Sequence, residues 1–401
     1  MRLEERSPGE YAATRRESRR RIGVLNLTGT ETPSVSTRIG VIGCGLIGGS
    51  IALSLSKSGH SVFVTDRPQN EKRIRKQIPK AAFRKGIAEL CAENPRVIFI
   101  CVPSSDVVSV IREVVPLAQA GTIVTDVAGI KQPVMDAAAG IVPDGIIFVG
   151  GHPMAGSEKS GVDAAQPFLF QNAVYVLTPL REYPDKSFLP LVRSIEQLGA
   201  RILLMDASQH DRIAAATSHL PQLLAVELVN MLAELSSKDE HFNTLAAGGF
   251  RDMTRIASSE YTVWNDVIKA NRGNIDAMLK MLIGRLSDLS GALKEGKDSD
   301  IAGEFEKARL ARAGIRKGGK GFLHPLYDLY VVVEDKVGVL KEITSILADG
   351  GINIKDIELL KVREGSGGMF RLSFDTEETQ GRASAILEQH DFQILRKEFE
   401  G

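Results

Sequence analysis

Cysteine is scarce in this chain, with three in 401 residues: Cys44, Cys91 and Cys101. An odd count without metal-ligand spacing argues against a disulfide framework and a structural metal site, so no metal is expected. The expected setting is a reducing, cytoplasmic compartment. Net charge is lacking too: 50 basic residues meet 50 acidic ones. That balance leaves no broad positive field for phosphates, and nucleic acid is not expected as a partner. No apolar run approaches the ~20 residues needed to span a bilayer, so no membrane association is expected. Histidine is also rare, at seven, which makes the setting of each one informative.

The length allows two or three domains, each with its own core. Residues 1–37 are Arg-rich, carry interspersed glutamates and have no hydrophobic segment; a poorly ordered extension is expected. From residue 38 to 206 strand-like runs (RIGVIG, SVFVTD, RVIFICVP, GTIVTDV, GIIFVGG) alternate with helix-spaced segments. Such alternation predicts an α/β domain with a Rossmann-like, doubly wound, mostly parallel sheet that binds ligands at the carboxyl ends of its strands. AVYVLTP and ARILLMD are expected to extend it. Residues 207–316 read as helical, with more apolar stripes than one layer buries, and a homodimer that packs them together is expected. Residues 317–326 read as a linker. Residues 327–401 follow the order βαββαβ, a small α+β domain.

Gly43-Cys44-Gly45-Leu46-Ile47-Gly48 is G-x-G-x-x-G between a strand and a helix. Gly43 permits the tight turn, Gly45 the approach of a pyrophosphate, and Gly48 close packing of helix on strand. Asp66 ends the second strand, 66 − 48 = 18 positions on. A carboxylate there suits ribose hydroxyls and repels a 2′-phosphate, so NAD is expected as cofactor, with Arg67 and Val102 beside it. Asp126 ends the GTIVTDV strand, either at the cofactor or capping the helix that begins at Lys131. His152 ends another strand, between glycines, in GGHPMAGSEKSG; it is a turn histidine or a base. Ser157 lies in the same glycine-bounded loop. His219 sits in ATSHLPQ, where Pro221 kinks any helix. His210, nine residues earlier, falls half a turn away at ~100° per residue, so only one of the two is expected to face a shared site. His219 is preferred. Arg251 and Arg255, four apart, share a helical face that suits a carboxylate, with Asp252 able to orient Arg255; a solvated stripe is the alternative.

In order, GCGLIGGS, TDVAGIK, GGHPMAGSEKSG, TSHLPQ and GGFRDMTRIA resemble the prephenate/arogenate dehydrogenase family of tyrosine biosynthesis over residues 38–316. The tail resembles an ACT domain, with Gly338 and Val339 opening its first helix. The resemblance implies NAD-dependent oxidative decarboxylation of prephenate, or of arogenate, with tyrosine as effector. It implies that His152 removes the ring-hydroxyl proton, that Arg255 anchors the side-chain carboxylate with help from Arg251, and that His219 lies at the far end of that side chain. Many members read D-x-x-S-x-K where this chain has Gly129, so a serine that contacts the hydroxyl and the histidine is missing; Ser157 is one candidate to replace it. Two rivals remain at this level. One is a β-hydroxyacid dehydrogenase, which would carry a catalytic lysine that TSHLPQLLAVELVN lacks. The other is a non-catalytic sensor of NAD and an amino acid.

Overall fold

The computed structural model describes residues 36–156, 159–183, 187–314, 326–334, 336–360 and 368–395. Ser157 lies outside them, as do the expected N-terminal extension but for its last two residues and the expected linker but for Leu326. The chain divides into two compact units, Met1–Gly303 and Glu304–Gly401.

The first unit opens with β1 (Arg38–Ile42), α1 (Leu46–Lys57) and β2 (Ser61–Thr65). Then come α2 (Glu71–Gln77), β3 (Ala82–Phe83), α3 (Ile87–Ala92), β4 (Val97–Ile100), α4 (Val107–Val114), β5 (Ile123–Asp126), α5 (Gln132–Ile141) and β6 (Ile147–Pro153). The sheet ends with β7 (Val174–Pro179), α6 (Leu189–Gln197) and β8 (Arg201–Leu204), in the order β3-β2-β1-β4-β5-β6-β7-β8. Only β6 and β7 pair antiparallel; all other neighbours run parallel. A parallel sheet is covered on both faces, so its strands read as unbroken apolar runs. All four residues of β4 are buried, and they divide between two cores. Val97 and Phe99 join Ile51 and Leu55 of α1 on one face. Ile98 and Ile100 join Val107 and Ile111 of α4 on the other. Each such side chain contributes about 1.5–3 kcal/mol on full burial. The sequence reading assigned no element between β2 and β4, because α2 (EKRIRKQ) buries only Ile74 and shows little apolar pattern.

The rest of the first unit is helical: α7 (Ala207–Ala214), a π-helical turn (Ala215–His219), α8 (Leu220–Ser236), α9 (His241–Thr244), α10 (Gly248–Thr254), a 3-10 turn (Arg255–Ser258), α11 (Tyr261–Ala270) and α12 (Arg272–Glu295). α13 (Asp298–Gly314) carries the chain across the division between the units. These helices bury little. α12 buries only Ile275 and exposes Met281, Ile283, Leu286, Leu289 and Leu293. Among the described residues no helix is long and apolar enough to cross a membrane.

The second unit holds β9 (Tyr327–Val333), α14 (Val339–Asp349), β10 (Asp356–Leu360), β11 (Gly368–Phe374), α15 (Glu377–Gln389) and β12 (Gln393–Leu395). Its four-stranded antiparallel sheet runs β10-β11-β9-β12. Leu329, Val331, Ile343, Leu347, Leu372 and Leu387 form its core. Gly338 precedes α14 at φ +94°, a backbone conformation that glycine adopts without strain.

Candidate active site

The strand order reverses between β1 and β4, and the glycine loop sits at that crevice. Gly43 has φ +90°, and a Cβ there would meet the Cys101 carbonyl oxygen at 2.6 Å. A Cβ on Gly48 would stand 1.9 Å from the Gly43 carbonyl oxygen, so only glycine lets α1 start this close to the strand. A Cβ on Gly45 would meet nothing within 4 Å. No side chain caps α1 at Gly45 and no acid lies in its first turn, which leaves its first N–H groups and the positive end of its dipole for an anion. Leu46 and Ile47 are partly buried in that turn, and Val102 lines the loop across from Gly43. The Asp66 carboxylate accepts from Cys44 N at 2.6 Å, from Arg67 N at 2.7 Å and from Asn70 Nδ2 at 2.7 Å. About four acceptor positions exist on a carboxylate, so one remains for a ribose hydroxyl. Arg67 itself is exposed.

Asp126 is placed differently from its expected position at the cofactor. It and Lys131 are both 0% exposed and pair with each other. Asp126 also accepts from Ala128 N at 2.9 Å and Gly151 N at 3.1 Å, while Lys131 Nζ donates to the Gly151 carbonyl at 2.6 Å. With no exposed surface, Asp126 offers a cofactor nothing. It fixes the turn after β5 to the strand residue that precedes His152. Gly151 is confined as well, since a Cβ there would meet Asp126 O at 2.4 Å.

His152 is half-buried. Its Nδ1 lies 2.8 Å from His210 Nε2, with the rings edge-on at 73°. His210 Nδ1 in turn lies 2.8 Å from Asp211 Oδ1. The Asp211 carboxylate also accepts from Lys131 N and Gln132 N, both at 2.8 Å, and so closes the start of α5. On the opposite side of the His152 ring, a Cβ on Gly129 would stand 3.7 Å from Nε2. Burial first, then the neighbouring His210, Lys131 and His219, hold the His152 pKa well below 6.5. The imidazole is therefore neutral at neutral pH, with one nitrogen lone pair to accept a proton.

Both His210 and His219 belong to this cluster, which corrects the expectation that only one would. The phase argument assumed a straight α-helix. The π turn at Ala215–His219 inserts one residue into the register, and that turns the later residues back by ~100°, leaving the two histidines ~80° apart rather than opposed. Pro221 is the visible cause, since it cannot donate to the preceding turn. His219 is buried, with Nδ1 3.1 Å from Asn271 Nδ2 and its ring 6.0 Å from Trp264. The same Asn271 amide donates to the Asp211 backbone carbonyl at 2.7 Å. Burial lowers the His219 pKa to about 4. Gln222, also buried, donates to the Ile256 carbonyl at 3.0 Å, and so ties the turn that begins at Arg255 to the helix that follows His219.

Arg251 and Arg255 belong to two successive elements rather than to one α-helix. α10 ends at Thr254, and Arg255 opens the tighter 3-10 turn, which rotates more per residue than an α-helix. Arg251 is exposed, with Nε 3.2 Å from the Ala246 carbonyl. Arg255 is exposed, and its guanidinium has no hydrogen bond or ion pair among the described residues, to Asp252 or any other group. Also among the described residues, no group of three or more His, Cys, Asp or Glu could hold a metal ion. Sequence reasoning missed His210, Asp211, Asn271 and Gln222. Pro221, two residues beyond His219, was the signal that the helical phase would not run straight.

A family model described as prephenate dehydrogenase, nucleotide-binding domain, matches residues 51–204, and one described as prephenate dehydrogenase, dimerization domain, matches residues 206–307. A third, described as an AHAS small subunit-like ACT domain, matches residues 329–390. The prephenate dehydrogenase of Bacillus subtilis is 33% identical over 359 residues, which cover 86% of this chain and 94% of that one. That of Lactococcus lactis is 31% identical over 367 residues, covering 89% and 99%. Among solved structures, Aquifex aeolicus prephenate dehydrogenase in complex with hydroxyphenyl propionate and NAD+ gives a TM-score of 0.65 at 25% identity, covering 71% of this chain and 100% of that one. Synechocystis arogenate dehydrogenase gives 0.61 at 29% identity, covering 69% and 99%.

Proposed function

The chain belongs to the prephenate dehydrogenase family, and from that premise we propose that it is an NAD-dependent enzyme which converts prephenate to 4-hydroxyphenylpyruvate and CO2, with His152 as the base. The observation that carries this reading is the His152 ring itself. It is neutral at neutral pH and bonded on Nδ1 to His210, with Gly129 beside Nε2. NAD suits the uncapped start of α1, the open face at Gly45 and the remaining acceptor position of Asp66; when bound it supplies the hydride acceptor. The chain's residues do the rest. His152 Nε2 takes the proton of the ring hydroxyl in the space beside Gly129. Arg255, with no partner of its own among the described residues, binds the side-chain carboxylate, and Arg251 adds positive charge nearby. His219, held by Asn271, lies toward the far end of that side chain. Loss of the ring carboxylate makes the ring aromatic, so the reaction runs one way.

In this reading residues 38–206 bind the dinucleotide, 207–316 the substrate and a second copy of the chain, and 327–401 an amino acid, with tyrosine as the feedback effector. The exposed apolar side chains of α12 support the homodimer. Arogenate is the competing substrate, because one carboxylate anchor serves a pyruvyl or an alanyl side chain. The test compares NADH formation from each substrate by the wild-type protein and by His152→Asn. The expected result is faster turnover of prephenate, with none in the variant although its NAD affinity is kept. Faster turnover of arogenate would reverse the choice of substrate, and an active variant would remove His152 from the base role.

A further inference from the structure

Gly129 has no side chain to hold the His152 ring from the Nε2 side, yet a base must present a defined atom to the substrate. The other edge of the ring supplies the constraint. Asp211 accepts two backbone N–H groups, from Lys131 and Gln132, and these donors have no alternative role. A carboxylate held this way is an acceptor, so the His210 nitrogen facing it at 2.8 Å, Nδ1, carries the hydrogen. A neutral imidazole has one N–H, and His210 Nε2 is then a lone pair. At 2.8 Å it accepts from His152 Nδ1. The His152 hydrogen is thereby on Nδ1, and Nε2, toward Gly129, is bare.

We infer that His210, fixed by Asp211, is a positioning residue that sets the tautomer of His152 and so makes Nε2 the proton-accepting atom. The inference rests on the reading of His152 as the base and names the group that orients it. As Nε2 takes the substrate proton, the new imidazolium keeps its Nδ1–H donated to His210, whose own Nδ1–H remains on Asp211. The positive charge therefore develops at one end of a chain that ends in a carboxylate. Other charged and titratable groups face His152 as well: Lys131, which is paired with Asp126, and His219. Neither of these has a hydrogen bond to its ring among the described residues. Asp211 also closes the start of α5, so its replacement would disturb that helix, and the test is better placed on His210.

The tautomer is read directly by nitrogen NMR of the full-length protein labelled with 15N-histidine, with His152→Asn identifying the resonances of His152 among the seven histidines. The expected signature is a hydrogen-bearing Nδ1 and a bare Nε2, lost in His210→Leu. In the same variant kcat falls by roughly 10- to 100-fold, part of the usual general-base contribution, while the KM for NAD stays within about twofold, since a change below ~0.4 kcal/mol leaves binding intact. His210→Gln, whose amide oxygen can accept the same Nδ1–H, recovers part of the loss. A purely structural role would lower activity without changing the tautomer and would not distinguish Gln from Leu. Wild-type enzyme that turns over with hydrogen on Nε2 overturns this inference alone. Wild-type protein that gives no turnover with either substrate overturns it together with the proposed function.

Discussion

Gly129 stands beside Nε2 of His152, and a side chain at position 129 would start toward that ring. A Cβ at 129 would make ordinary contact with the ring at 3.7 Å, so the backbone tolerates a side chain there; a large one would occupy the space that a substrate hydroxyl needs. Gly129→Leu is expected to raise the KM for prephenate and lower kcat by roughly 100-fold or more, on the scale of a misplaced reacting group. The fold and NAD binding should survive, as judged by circular dichroism and NAD titration. A leucine variant with wild-type kinetics would mean that substrate does not enter on this side of the ring. At this scale much was legible in the sequence. Gly43 and Gly48, where a Cβ would strike backbone, were marked by the G-x-G-x-x-G spacing between a strand and a helix, a pattern contained in one short stretch of chain. His210 was not legible, because its partner His152 lies 58 residues away.

The turn between β5 and α5 is where one element positions another. The buried Lys131–Asp126 pair joins that turn to Gly151 of β6, and β6 carries His152. Removing one partner of a buried pair leaves an uncompensated charge. Lys131→Met is therefore expected to cost about 3–5 kcal/mol of stability, read as a lower urea midpoint, and to lower turnover as β6 loosens. An unchanged midpoint would show that Asp126 is satisfied without Lys131. The π turn is the second such device. Its α/π choice depends on Pro221 and on packing against Asn271 and Trp264, contacts that helical periodicity alone does not encode. Sequence reasoning consequently found the helix and the proline but gave His210 the wrong face.

Across the whole chain, alternating apolar runs marked the doubly wound sheet, and the βαββαβ order marked the second unit, because both patterns follow from burial on sheet faces. The chain divides at Gly303, within α13 and so within the region 207–316 expected to be helical, ahead of the tail expected from residue 327. The second unit has its own core of residues from α14, α15, β9 and β11, so its removal should leave the first unit folded. Deletion of residues 327–401 is expected to weaken tyrosine inhibition at least tenfold in inhibitory concentration, about 1.4 kcal/mol of lost coupling, with kcat retained. Unchanged inhibition would assign the tyrosine site to the first unit. The most direct measurement of the central claim is the simultaneous release of NADH and CO2 when wild-type protein is given prephenate and NAD. The account predicts one of each per prephenate consumed; NADH without CO2, or no NADH from either prephenate or arogenate, would contradict it.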